Sequence, residues 1–80
     1  KWGKIKISHH LKMKNVSEND IKFGVDKIDS TDYENCINEI ISKRKITTDK
    51  EYENKMKIIQ YLQQKGFEYD LIWKIINKHY

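Results

Sequence analysis

Apolar residues recur along this chain at helical spacing. Ile21, Val25 and Ile28 lie at i, i+4 and i+7. Tyr33, Cys36, Ile37, Ile40 and Ile41 form a second stripe, Tyr52, Met56, Ile59 and Leu62 a third, and Tyr69, Ile72, Trp73 and Ile76 a fourth. Residues three and four apart share one face of a helix, so each stripe predicts an amphipathic helix with one side turned inward. A fifth, less regular helix at the start uses Trp2, Ile5, Ile7 and Leu11. Lys4-Ile5-Lys6-Ile7 also alternates with the period of a strand, but no hairpin turn or partner strand follows it, and it reads as helix. The predicted class is all-α.

Local punctuation agrees with these helices. Ser17 precedes an acidic turn ending at Asp20, Thr31 has Glu34 three residues on, and Thr48 has Glu51 three residues on. A hydroxyl in that place accepts a bond from an otherwise unpaired amide, and the acid suits the positive end of the helix dipole. Gly66 after Lys65, and Asn15 after Lys14, stand where a left-handed residue ends a helix.

The chain also repeats itself. An offset of 51 pairs Lys4 with Lys55, Lys6 with Lys57, Ile7 with Ile58, Leu11 with Leu62, Lys14 with Lys65, Ile21 with Ile72 and Lys27 with Lys78. About three identities would arise by chance in a composition so rich in Lys and Ile, so the mismatches matter as much. Ile5 meets Met56, Val16 meets Phe67, Val25 meets Ile76, and Asn15 meets Gly66 at the predicted stop. Both halves read as helix, tight turn, helix, with an apolar residue after the turn packing down. The expectation is a tandem three-helix repeat with helix-turn-helix-like units. Residues 1–45 form one unit whose start is trimmed, and 46–80 a last unit with two helices and no third.

Length and composition narrow the function. Eighty residues, 38% hydrophobic and 35% charged, make one small domain or a piece of a larger protein, not a multidomain enzyme. The first residues, Lys1-Trp2-Gly3, carry no initiator Met or signal pattern, which suggests an excised fragment. The lone Cys36 forms no internal disulfide, and no apolar run approaches the roughly 20 residues that span a bilayer. The expected compartment is the cytoplasm, with no membrane partner. The net charge of +4 divides into basic ends, residues 1–14 and 43–80, around an acidic middle. That pattern fits an anion-binding surface, and it fits equally well basic and acidic helices neutralising each other.

Candidate chemistry is sparse. The recurring Lys4, Lys6, Lys14, Lys55, Lys57 and Lys65 are candidates for contact with acidic side chains or a nucleic-acid backbone, against the alternative of a solvated face. Arg44, flanked by Lys43 and Lys45, is a further candidate, although a basic run at a helix end also complements the dipole. Trp2, Trp73, Tyr61 and Tyr69 could stack on bases, but at helical spacing Trp73 and Tyr69 read as core. Leu11, Val16, Ile21, Ile58, Leu62, Gly66, Phe67 and Ile72 are the structural positions. His9 and His10 point about 100° apart on a helix and do not chelate one metal well. Cys36 lies on an apolar stripe, and Gly3, Gly24 and Gly66 are isolated, so no phosphate-cradling loop is present. No catalytic residues, metal, cofactor or small-molecule substrate are expected.

The stretch Lys55-Met56-Lys57-Ile58-Ile59-Gln60-Tyr61-Leu62-Gln63-Gln64-Lys65-Gly66-Phe67-Glu68-Tyr69-Asp70-Leu71-Ile72 resembles the last repeat of the RecX family. Trp2-Gly3, Ile7, Leu11, Lys14 and Ile21 resemble that family's middle repeat. Asn15-Val16 stands where the middle repeat usually has Gly-Ile, and Gln64 where the last repeat often has Arg. The resemblance implies a regulatory protein that binds the RecA recombinase filament on single-stranded DNA and restrains its recombinase, ATPase and co-protease activities. It implies a fragment without the first of three repeats. Weak direct binding to DNA is compatible with that role. The alternative is a sequence-tolerant nucleic-acid-binding helical module.

Overall fold

The computed structural model describes residues 2–45 and 50–79. Five helices follow one another: α1 (Lys4–Met13), α2 (Glu18–Asp26), α3 (Ser30–Arg44), α4 (Glu51–Gln64) and α5 (Tyr69–Ile76). The described residues contain no strand, and Lys4-Ile5-Lys6-Ile7 is the first turn of α1.

The two helical pairs turn by the same device. Asn15 and Gly66 both have positive φ, 63° and 87°. In each copy the N–H of the next residue reaches back to the Leu carbonyl, Val16 to Leu11 and Phe67 to Leu62, both at 3.1 Å. These bonds satisfy carbonyls that the helix end would otherwise leave unpaired. At the helix starts, Ser17 caps α2 by accepting the Asp20 N–H at 3.2 Å. The cap of α3 is Asp29, not Thr31, and its carboxylate accepts the Asp32 N–H at 2.9 Å. An ionised acceptor makes the stronger bond, so Thr31 falls inside the first turn. Thr48 lies outside the described residues.

Burial concentrates in α3, α4 and α5. Tyr33, Ile37 and Ile41 of α3 form one cluster with Ile58, Ile59 and Leu62 of α4, Phe67 of the turn, and Ile72, Ile75 and Ile76 of α5. This corrects the grouping of α3 with the first helical pair. Its packing partners are α4 and α5, and these three helices make the unit that has its own core. The expected units, 1–45 with three helices and 46–80 with two, put α3 in the first, whereas its buried residues lie in the cluster with α4 and α5. Among the described residues, the pair α1–α2 has no such third layer. No residue of α1 is buried, Ile21 is the buried residue of α2, and Leu11 and Val16 are half-buried. Tyr52 and Tyr69, each expected on a buried stripe, are 73% and 51% exposed. Ile75, outside the stripe read for α5, is 1% exposed.

The start of α1 docks on the turn between α4 and α5. The Gly3 N–H donates to the Lys65 carbonyl at 2.7 Å, Ile5 to the Gly66 carbonyl at 3.0 Å, and Lys4 to the Tyr33 hydroxyl at 2.9 Å. The first turn of α1 holds no acid and its N-cap makes no side-chain bond. The negative end of α4 supplies what a cap would, so each helix satisfies the other's unpaired backbone groups. A Cβ on Gly3 would fall 2.2 Å from Gly66 and Phe67 backbone atoms, and one on Gly66 2.3 Å from the Lys6 Cβ. The approach therefore needs glycine on both sides. The result is an elongated molecule, 47 × 23 × 18 Å.

Tyr33 completes this junction, because its hydroxyl also donates to the Glu68 carboxylate. Burial first, and then the bond to Glu68, push the phenol's pKa upward from the ordinary 10.0. The folded state thus holds this proton more tightly than the unfolded chain does. Its contribution is complete below pH 10.0 and is lost progressively as pH climbs toward the raised folded value. We expect Tyr33→Phe to cost about 1 kcal/mol at neutral pH. It should also flatten the alkaline limb of the stability profile, as read by urea unfolding from neutral pH to above the tyrosine range.

Candidate partner-binding surface

The recurring lysines do not gather into one patch. Lys4 and Lys6, at the start of α1, lie over the rings of Tyr33 at 4.9 Å and Trp2 at 4.6 Å. Lys14 is exposed at the far end of α1. Lys55 turns toward α5, with its ammonium 2.8 Å from the Asn77 Oδ1 and 5.1 Å from the Trp73 ring. Arg44, Lys57 and Lys65 do share a surface, along the seam between α3 and α4.

Helical spacing builds that seam. On α3, Cys36, Glu39, Ile40 and Lys43 recur at three and four residues and face Tyr61 and Lys65 of α4 across one cleft. Arg44, Asn54, Lys57 and Ile58 line the adjoining cleft. Between the two, the Arg44 guanidinium stacks over the Tyr61 ring at 3.6 Å from its centre, and the Lys65 ammonium lies 5.6 Å from the same ring. A guanidinium held flat on an aromatic face keeps its N–H edges open to a planar anion. The Arg44 carbonyl accepts the Asn54 side-chain amide at 3.2 Å, which ties the end of α3 to α4. Lys43 pairs with Glu39 at 3.5 Å, an exposed i, i+4 pair of small energetic weight.

Tyr61 and Lys43 are the members of this surface that spacing did not assign. Tyr61 sits one position before Leu62, half-buried, and only its partner across the seam gives it a role. Other sequence candidates are dispersed. Trp2 is 39% exposed with the His10 ring 5.2 Å away, and Trp73 is half-buried with its indole N–H lacking an acceptor among the described residues. His9 and His10 are exposed, and among the described residues no three His, Cys, Asp or Glu side chains gather to hold a metal. Among those residues, too, no helix is long and apolar enough to cross a membrane.

Comparison with known proteins adds to this geometry. The family model for the third three-helix domain of RecX matches residues 30–76, the span of α3, α4 and α5. That match agrees with the packing that groups α3 with the last pair. Over 81 aligned residues the chain is 36% identical to the regulatory protein RecX of Clostridioides difficile (strain 630). The match covers 98% of this chain and 38% of that relative's length. No solved structure matches the chain significantly. The all-helical repeat, the shared turn chemistry and these two matches together place the chain in the RecX family of regulatory proteins.

Proposed function

We propose that this chain is part of a regulator that binds the RecA filament on single-stranded DNA and restrains its recombinase, ATPase and co-protease activities, with no catalysis of its own. The observation that carries this reading is the match to RecX across both helical pairs. Its shape supports it, since two like pairs joined in a 47 Å body suit a partner that is itself a periodic polymer. Arg44, Lys57 and Lys65 are the proposed contacts on the α3–α4 seam, and Lys4, Lys6, Lys14 and Lys55 the proposed contacts elsewhere. The reading implies a cytoplasmic setting in recombination and the SOS response.

A second reading, sequence-tolerant binding to nucleic acid, draws on the same basic cluster. Phosphate contacts of that kind position a protein without choosing a base. RecA ATPase on single-stranded DNA tests the first reading. We expect the chain to lower the steady-state rate, with potency falling as salt rises. An unchanged rate at saturating chain would contradict it.

A further inference from the structure

The seam between α3 and α4 is specific enough to say what kind of group it receives. We infer that this cleft, centred on the stacked Arg44–Tyr61 pair, docks a carboxylate-bearing segment of a partner protein, not the DNA backbone. The inference rests on the function proposed above, in which the partner is a RecA subunit.

Three features favour a peptide over a nucleic acid. The first is the state of the Tyr61 ring. A single-strand groove offers open aromatic faces on which bases stack, whereas Arg44 already covers this half-buried ring. The second is the cleft wall. Half-buried Cys36 and Ile40, and the buried Ile58 of the adjoining cleft, give apolar footing for side chains such as a peptide supplies. The third is the charge pattern. Arg44, Lys57 and Lys65 are separate positive points along the seam, and Lys43 beside them is paired with Glu39. Separate cations with gaps between them suit spaced carboxylates better than a continuous phosphate chain. Arg44, with its guanidinium carbon 3.6 Å from the Tyr61 ring centre, carries a planar fork of N–H donors that matches a carboxylate.

The test uses the whole chain with Arg44→Glu, Tyr61→Leu, Tyr61→Phe and, as a control of equal charge change just after α2, Lys27→Glu. Each is titrated against RecA filaments preformed on oligo(dT) and against oligo(dT) alone, and the chains that keep Tyr61 are also titrated with a Glu-rich peptide followed by NMR at the Tyr61 ring. Circular dichroism checks that helicity is kept. We expect Arg44→Glu to weaken filament binding by about tenfold or more, Tyr61→Leu by about fivefold, and Tyr61→Phe and Lys27→Glu by less than about twofold. The peptide should shift the Tyr61 resonances of the parent chain and not those of Arg44→Glu.

Equal effects of Arg44→Glu and Lys27→Glu would overturn the inference, as would losses on oligo(dT) alone that match those on filaments. Peptide shifts absent from the parent chain would overturn it as well. So would an Arg44-dependent dimer in sedimentation, which would make a second copy of the chain the occupant. Filament binding that is absent while the Tyr61 shifts persist would instead contradict the RecA reading and leave the carboxylate site supported.

Discussion

Gly3→Ala should separate the two halves of this molecule while leaving the last three helices folded. Gly3 has ordinary backbone angles, φ −74° and ψ 166°, so an added methyl carries no conformational penalty of its own. It also removes no core atom. Its whole effect comes from a Cβ placed 2.2 Å from the backbone of Gly66 and Phe67, where no flexible side chain can yield. Relief requires α1 to move off the turn, which breaks the bonds from Gly3 to Lys65, Lys4 to Tyr33 and Ile5 to Gly66. Three such bonds are worth about 3 kcal/mol together. Because α1–α2 has one buried residue of its own, the pair should then lose protection. Hydrogen exchange resolved by segment checks this, with fast exchange in α1 and α2 and unchanged protection in α3, α4 and α5. Uniform loss across all five helices would mean the molecule folds as one cooperative unit.

The second large effect compares one residue in two equivalent places. Leu62 is 0% exposed in the core shared by α3, α4 and α5, and Leu62→Ala should cost about 3 kcal/mol, a fall in Tm of roughly 15 °C at this length. Leu11 stands at the same point of the repeat and makes the same turn bond, but it is half-buried and lies outside that core. Leu11→Ala should cost about 1 kcal/mol. Thermal unfolding of the two variants checks the ratio. Equal losses would show that α1–α2 has a core of its own comparable with that of α3–α5.

This contrast also shows what the sequence could and could not convey. The turns were readable because their chemistry is local. Asn15 and Gly66 tolerate left-handed geometry, and the residues around them are enough to end a helix. The stripe through Tyr33, Ile37 and Ile41 was readable as a buried face for the same reason. Which helices cover that face was not, because periodicity states that one side is turned inward and not against what. Gly3 looked like an isolated glycine, since its role is the absence of a Cβ at a contact 63 positions away. Tyr61 was ambiguous in the same manner. Its neighbours on α4 say little, and Arg44, the residue that defines its place, lies across the seam on α3.

The most direct test of the functional account is co-sedimentation of the chain with preformed RecA filaments, set beside single-stranded DNA alone at near-physiological salt. The account predicts that the chain pellets with filaments and stays largely in solution with naked DNA. Equal recovery with DNA alone, or none with filaments, would contradict it.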